Sequence, residues 1–175
     1  MIDLTGIPVL ETERLILRGP KAADTEGYVR FMMSKRAQYV GGHVSEREAW
    51  RAFAKEVGHW LIRGFGMWAV TEKGDDTCLG YVGCWEPQGW PEKELGWTLW
   101  EEAEGKGIGF EAATAARTFA YGTLRCTTAV SYIDRPNHRS IALAERIGCS
   151  RDRGAATPDG EDCLVYRHPR PEDLT

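Results

Sequence analysis

The sequence predicts an α/β protein: one domain over residues 1–175, with a mixed central sheet of about seven strands flanked by four helices. Three observations predict it. The hydrophobic period alternates between 2 and 3.6 in the order βααβββαβαββ. A glycine-spaced loop, Glu104-Gly105-Lys106-Gly107-Ile108-Gly109, sits directly between a tryptophan-rich strand pattern and an alanine-rich helix pattern. The chain of 175 residues, 42% hydrophobic and 27% charged, has the length and composition of one soluble globular unit.

Glu13 to Arg18 alternates charged and apolar residues and stops at Gly19-Pro20, a first strand. Residues 22–34 gather Tyr28, Phe31 and Met32 on one side of a helix. Ser45-Glu46-Arg47-Glu48 is a capping box that opens a second helix to about Arg63, with Trp50, Phe53, Val57, Trp60 and Leu61 as its apolar stripe and Gly64 as its end. The period then drops to 2. Phe65 to Thr71 and Cys78 to Trp85 read as a hairpin across Lys73-Gly74-Asp75-Asp76. Pro87 to Pro91 is a loop and Glu94 to Trp100 the next strand. Residues 108–121 form a helix with a stripe of Ala112, Ala113, Ala115, Ala116 and Ala120 anchored by Phe110 and Phe119, small enough to lie close to a sheet. Thr128 to Asp134 is a strand. Asn137 is a good N-cap for a helix from Ser140 to Ile147 that ends at Gly148. Thr157 to Gly160 turns the chain into a last strand, Cys163 to Arg167.

The glycine loop carries the chemistry. Glycine reaches positive φ cheaply, so alternate glycines turn several backbone N–H groups toward one point at a helix start, where the helix dipole adds attraction for an anion, most naturally a pyrophosphate. A net charge of −4 argues against general nucleic-acid binding, which needs a dense basic stripe. The five cysteines are odd in number and none are at C-x-x-C spacing, so they read as reduced thiols packed as small hydrophobes. The N-terminus shows no signal-peptide pattern and no run reaches membrane-spanning length, which predicts a cytoplasmic protein with no membrane partner. His43 and His138 lack partners at metal-ligand spacing, so no metal is expected.

The order of elements, together with three local motifs, resembles the GNAT acetyltransferases over almost the whole chain. Glu104 to Gly109 is similar to that family's acetyl-coenzyme A loop, and Glu111-Ala112 to the E-A pair that follows it. The opening Glu-Arg-Leu-Ile-Leu-Arg, the Glu-Leu-Gly-Trp strand and Asn-x-x-Ser resemble the branch of ribosomal-protein N-terminal acetyltransferases, the RimJ/RimL-like branch. Glu104 departs from the family's Gln or Arg and is expected to face solvent.

The resemblance implies a GNAT fold with two strands splayed at an acetyl-coenzyme A site, and an N-acetyltransferase that acts on a peptide N-terminus or small amine by direct attack. It assigns Gly105, Lys106, Gly107, Ile108, Gly109 and Phe110 to the cofactor phosphates and loop, the main chain around Trp97, Thr98 and Leu99 to the pantetheine arm, and Asn137 to orienting both the helix start and that arm. Ser140 is implied as the acid at the sulfur, because the position of the family's tyrosine is Ala144 here. Glu94 is implied as general base. Trp85 and Trp90 are candidate acceptor walls, and His43 joins them because its loop overhangs the acceptor in this family. An α-amine is roughly 15% neutral at pH 7 and a lysine amine about 400-fold less, so a modest base leans toward an α-amino acceptor. Monomer and homodimer stay open.

Two other functions compete. Gly107-x-Gly109-x-x-Ala112 satisfies a dinucleotide fingerprint, with Asp134 about 20 residues on, but the motif comes late and antiparallel hairpins precede it. A module that binds acetyl-coenzyme A without turnover is the other, disfavoured by the presence of both Ser140 and Glu94.

Overall fold

Sheet order places the two strands expected to part at the middle of the molecule. The computed structural model describes residues 6–174. It holds β1 Leu10–Glu11, β2 Leu15–Arg18, β3 Met67–Glu72, β4 Gly80–Trp85, β5 Glu94–Leu99, β6 Val130–Asp134, β7 Ser150–Arg151 and β8 Cys163–Arg167 in one sheet ordered β1-β2-β3-β4-β5-β6-β8-β7. The helices are α1 Thr25–Met33, α2 Glu46–Arg63, α3 Ile108–Gly122 and α4 His138–Arg146. Two strands exceed the expected set's well-formed members in brevity: β1 and β7 are two residues each, too short to leave a periodic signal.

Strand residues alternate between two cores, as a pleat requires. On β3, Met67 and Ala69 pack with Tyr28, Phe31 and Phe53 beneath α1 and α2, while Trp68 and Val70 pack with the alanines of α3. Both faces are therefore covered, and the sheet is the middle of three layers. The alanine stripe does what its size allows: Ala112, Ala113, Ala116 and Ala120 are buried against the sheet.

Helix ends follow the local chemistry. Ser45 accepts from the Glu48 N–H while the Glu48 carboxylate accepts from the Ser45 N–H, and Gly64 closes α2 at φ 75°. Asn137 accepts from the Ser140 N–H to start α4. The stripe of α2 differs from the expected one: Trp50 and Leu61 are 58% and 72% exposed. The side facing the sheet runs instead through Ala49, Phe53, Glu56 and Trp60, at i, i+4, i+7 and i+11, which rotates Trp50 and Leu61 outward and brings a carboxylate in.

Among the described residues every strand pair but one is antiparallel. The exception, β5 with β6, is parallel and has a single paired position, Glu94 with Val130. There the Val130 N–H donates to the Lys93 carbonyl at 3.1 Å, so the next rung of a parallel ladder would join the Leu95 carbonyl to the Tyr132 N–H. That rung is replaced. Ser131 Oγ instead donates to the Leu95 carbonyl at 2.6 Å. Because its hydrogen is used there, Ser131 Oγ accepts from His168 Nε2 at 3.0 Å, which leaves His168 Nδ1 as a bare acceptor. Burial pushes His168 down to about 3, so the ring is neutral and the arrangement holds across physiological pH. A buried serine, oriented by a buried histidine, thus caps the orphaned Leu95 carbonyl at the point where the sheet opens.

Candidate active site

Two cavities occupy the opening and share a wall. One, of about 400 Å³, runs from the glycine loop to the β5–β6 gap. The other, of about 310 Å³, lies beneath α1 and α2. Both are lined by Trp97, Thr98, Asn137 and Ser140, with Tyr39 and Val40 of the turn after α1 at the same junction.

The first cavity is built for an anion at one end. Gly105 and Gly107 sit at φ 72° and 78°, and Gly107 is the N-cap of α3 with no side chain to occupy the first-turn N–H groups. Gly109 differs from the expectation of shared positive φ. Its role is space: a Cβ there would lie 3.0 Å from Leu99 Cδ1 and 3.1 Å from Leu143 Cδ2, so any side chain would push on both leucines where α3 meets β5 and α4. Glu111, one turn on, accepts from Thr12 Oγ1 at 2.6 Å and Arg14 Nε at 2.8 Å, tying the helix start to the turn between β1 and β2.

Glu104 is not free in solvent as expected. Arg36, from the turn after α1, and Arg139, on α4, both grip its carboxylate, Arg139 at 2.6 Å, and all three line the first cavity. Lys106, expected among the cofactor groups, does not line that cavity. Arg14 holds its carbonyl at 3.1 Å, and its side chain is exposed on the far side of the loop. The other ten expected cofactor residues all line it: Trp97, Thr98, Leu99, Gly105, Gly107, Ile108, Gly109, Phe110, Asn137 and Ser140. Strand alternation refines three of them. The Trp100 N–H donates to the carbonyl of Leu79, just before β4, so even-numbered β5 residues turn their main chain to β4 and the main-chain groups of Trp97 and Leu99 face the gap. Thr98 contributes its side chain only.

Ser140 stands at the junction with its hydroxyl fixed. Trp97 Nε1 donates to Ser140 Oγ at 3.2 Å, which leaves the serine hydrogen available to a group in the gap.

In the second cavity Glu94 lies at the start of β5, and Trp90 Nε1 donates to its Oε2 at 2.8 Å. Enclosure outweighs that bond and pushes Glu94 up to about 7. Trp85 forms another wall and is braced from behind, stacked on His59 at 4.2 Å. His59 Nδ1 donates to the Phe65 carbonyl at 2.7 Å while Nε2 accepts from the Glu86 N–H at 3.1 Å, and burial lowers its pKa, so a neutral ring fixes that wall. His43 is exposed and lines neither cavity; the same loop contributes Tyr39, Val40 and Gly41 instead. Sequence reasoning also missed Glu56, Tyr28 and Tyr81 of this cavity.

Residues 14–150 match the model of an acetyltransferase (GNAT) domain. The chain belongs to the GNAT acetyltransferase family. An acetyltransferase from Agrobacterium tumefaciens is similar at 41% identity and a TM-score of 0.88, over 94% of this chain and 95% of that one. A candidate ribosomal-protein-serine acetyltransferase from Vibrio cholerae aligns at 24% identity and TM-score 0.75 over 96% and 100% of the two chains. RimL, a ribosomal L7/L12 α-N-protein acetyltransferase in complex with coenzyme A, aligns at 17% and 0.69 over 91% and 96%. The last two likenesses show the GNAT fold alone. Among the described residues, no helix is long and apolar enough to cross a membrane. Nor does any group of three or more His, Cys, Asp or Glu stand where it could hold a metal ion.

Proposed function

We propose that this GNAT protein acetylates a primary amine, with acetyl-coenzyme A in the first cavity and the amine in the second. One observation carries the reading: the two cavities meet at a wall bearing a serine hydroxyl with a free hydrogen, and the carboxylate on the acceptor side is tuned near neutrality. The residues present fit the cofactor, since first-turn amides without a side-chain cap meet one end of the crevice and unpaired main chain meets the other.

When bound, acetyl-coenzyme A supplies an activated acetyl carbonyl and a thiol leaving group, so that a C–N bond forms as C–S breaks, giving an amide, a free thiol and a proton. The amides of Gly105, Gly107, Ile108 and Gly109 would hold its pyrophosphate, and Arg36 and Arg139, which line the same cavity, would lend positive charge there. The main-chain groups of Trp97 and Leu99 pair with the pantetheine arm as an added strand would. Glu94 takes the proton that the ammonium must lose, and a base near neutrality suits that task. Trp90 orients the carboxylate. Ser140, held by Trp97, donates its hydrogen toward the departing sulfur. Trp85 and Trp90 line the acceptor's path.

Thiol release with acetyl-coenzyme A across a primary-amine and peptide library tests the reading, beside calorimetry with coenzyme A. Glu94→Gln is expected to lower kcat/KM by about 10²-fold or more, the usual worth of a positioned base, while coenzyme A still binds. An unchanged rate would remove Glu94 from the mechanism.

A further inference from the structure

The acceptor cavity is lined by four acidic side chains, Glu56, Glu94, Asp134 and Glu161, against one basic one, Lys55. Two of the acids have distinct environments. Glu94 is engaged by Trp90 and is the group already assigned to the amine that reacts. Glu56 comes from the buried side of α2. Tyr28 donates to its Oε1 at 3.3 Å, and its Oε2 is enclosed with no hydrogen-bond partner. An unpaired carboxylate oxygen taken from water is expensive unless a cation meets it. Among the described residues no arginine or lysine forms an ion pair with Glu56: Lys55 instead lies over the Trp85 ring, 5.2 Å from its centroid. That contact shows the aromatic wall of this same cavity attracting an ammonium group. Enclosure raises Glu56 to about 7, and the charge of Glu94 adds to the rise while Lys55 opposes it.

We propose that the acceptor is a small dicationic amine, one end presented to Glu94 for acetylation and the second ammonium bound by Glu56 between the Tyr28 hydroxyl and the aromatic wall. This rests on the acetyltransferase reading and adds the substrate class. A single-charge amine leaves Glu56 unmet. A diamine meets both carboxylates and offsets the acidic lining.

The test compares 1,4-diaminobutane and longer α,ω-diamines with n-alkylamines of matching length, by thiol release, in wild-type protein and in Glu56→Gln. The best diamine is expected to exceed its matched monoamine in kcat/KM by about 10- to 100-fold, the worth of one charge-assisted hydrogen bond, and the ratio is expected to fall toward one in E56Q through KM. A wild-type ratio near one, or a ratio unchanged in E56Q, overturns the proposal. Calorimetry of the same diamine with coenzyme A-loaded protein separates this from the underlying reading. Diamine binding that E56Q abolishes, with no amine acetylated, sinks the transferase reading and keeps the dication site. Turnover of peptides or monoamines without diamine preference does the reverse, and neither binding nor turnover removes both. Retained coenzyme A affinity in E56Q shows that the variant is folded.

Discussion

Replacing Glu104 with Gln deletes the carboxylate on which Arg36 and Arg139 converge at the edge of the cofactor crevice. The loop acid stands where an incoming phosphate would compete for the same two guanidinium groups, so its loss is expected to tighten coenzyme A binding, opposite in sign to most changes in a phosphate loop. The Arg36 and Glu104 side chains are 27% and 35% exposed, which puts that pair near the upper end of surface ion pairs, about 1 kcal/mol; Arg139, at 62%, belongs near the lower end, about 0.3 kcal/mol. Relief of repulsion between Glu104 and a phosphate, taken at about 8 Å, adds about 0.5 kcal/mol at the dielectric constant of water. Together these give about 1–2 kcal/mol, or about 5- to 30-fold in Kd. Calorimetric titration of coenzyme A at about 0.15 M ionic strength reads it, and the gain should shrink at about 1 M salt, where screening is nearly complete. Unchanged or weaker binding in E104Q would refute the competition and show that the carboxylate instead organises the arginines for the ligand.

Three further outcomes follow from the same geometry. Glu94 must be ionised to accept a proton, so kcat/KM with a monoamine is expected to bend near pH 7, and in the residual activity of E94Q that inflection should vanish, leaving only the rise set by deprotonation of the acceptor amine itself. Ser140→Ala is expected to lower kcat by about 10-fold or more with coenzyme A affinity within about twofold, as loss of one hydrogen-bond donor to a developing charge predicts; a kcat equal to wild type would dismiss the hydroxyl. Glu56 has a folded-state pKa above its ordinary 4.5, so its stabilising contribution is complete below that value and is lost as pH rises through about 7. Beside Tyr28, Lys55 and Glu94, E56Q carries no such titration, and its Tm relative to wild type should climb between about pH 5 and pH 8, by about 2–4 °C for each kcal/mol relieved; a constant difference would show that Glu56 does not ionise in this range.

The parts of the fold written in short-range chemistry were legible. The Ser45–Glu48 capping box, the Asn137 cap, the αL stops at Gly64 and Gly148 and the glycine loop all stand where their residue types require, because each depends on contacts within four positions. Apart from Lys106, the residues expected at the cofactor end line a single crevice for the same reason. The acceptor end was not legible. Glu56 follows Lys55 on a charged helix and reads as a solvated acid; only the corrected stripe through Ala49, Phe53 and Trp60 turns it inward, and the conspicuous Trp50 and Leu61 drew the stripe the wrong way. Arg36 and Arg139 reach Glu104 from 68 and 35 positions away, separations at which spacing carries no signal. The Lys106 side chain and His43 lie on the expected segments but turn away from both cavities, an orientation that local spacing does not fix.

Ser131 and His168 have a consequence for how the protein meets its cofactor. The notch between β5 and β6 is wedged open by side chains of the protein itself, with the Leu95 carbonyl already tied off, so ligand energy is not drawn on to prise strands apart. Arrival then resembles a key entering a cut slot. Removing the wedge, as in Ser131→Ala, would let the rung between Leu95 and Tyr132 zip shut and turn a standing entrance into one that has to be forced.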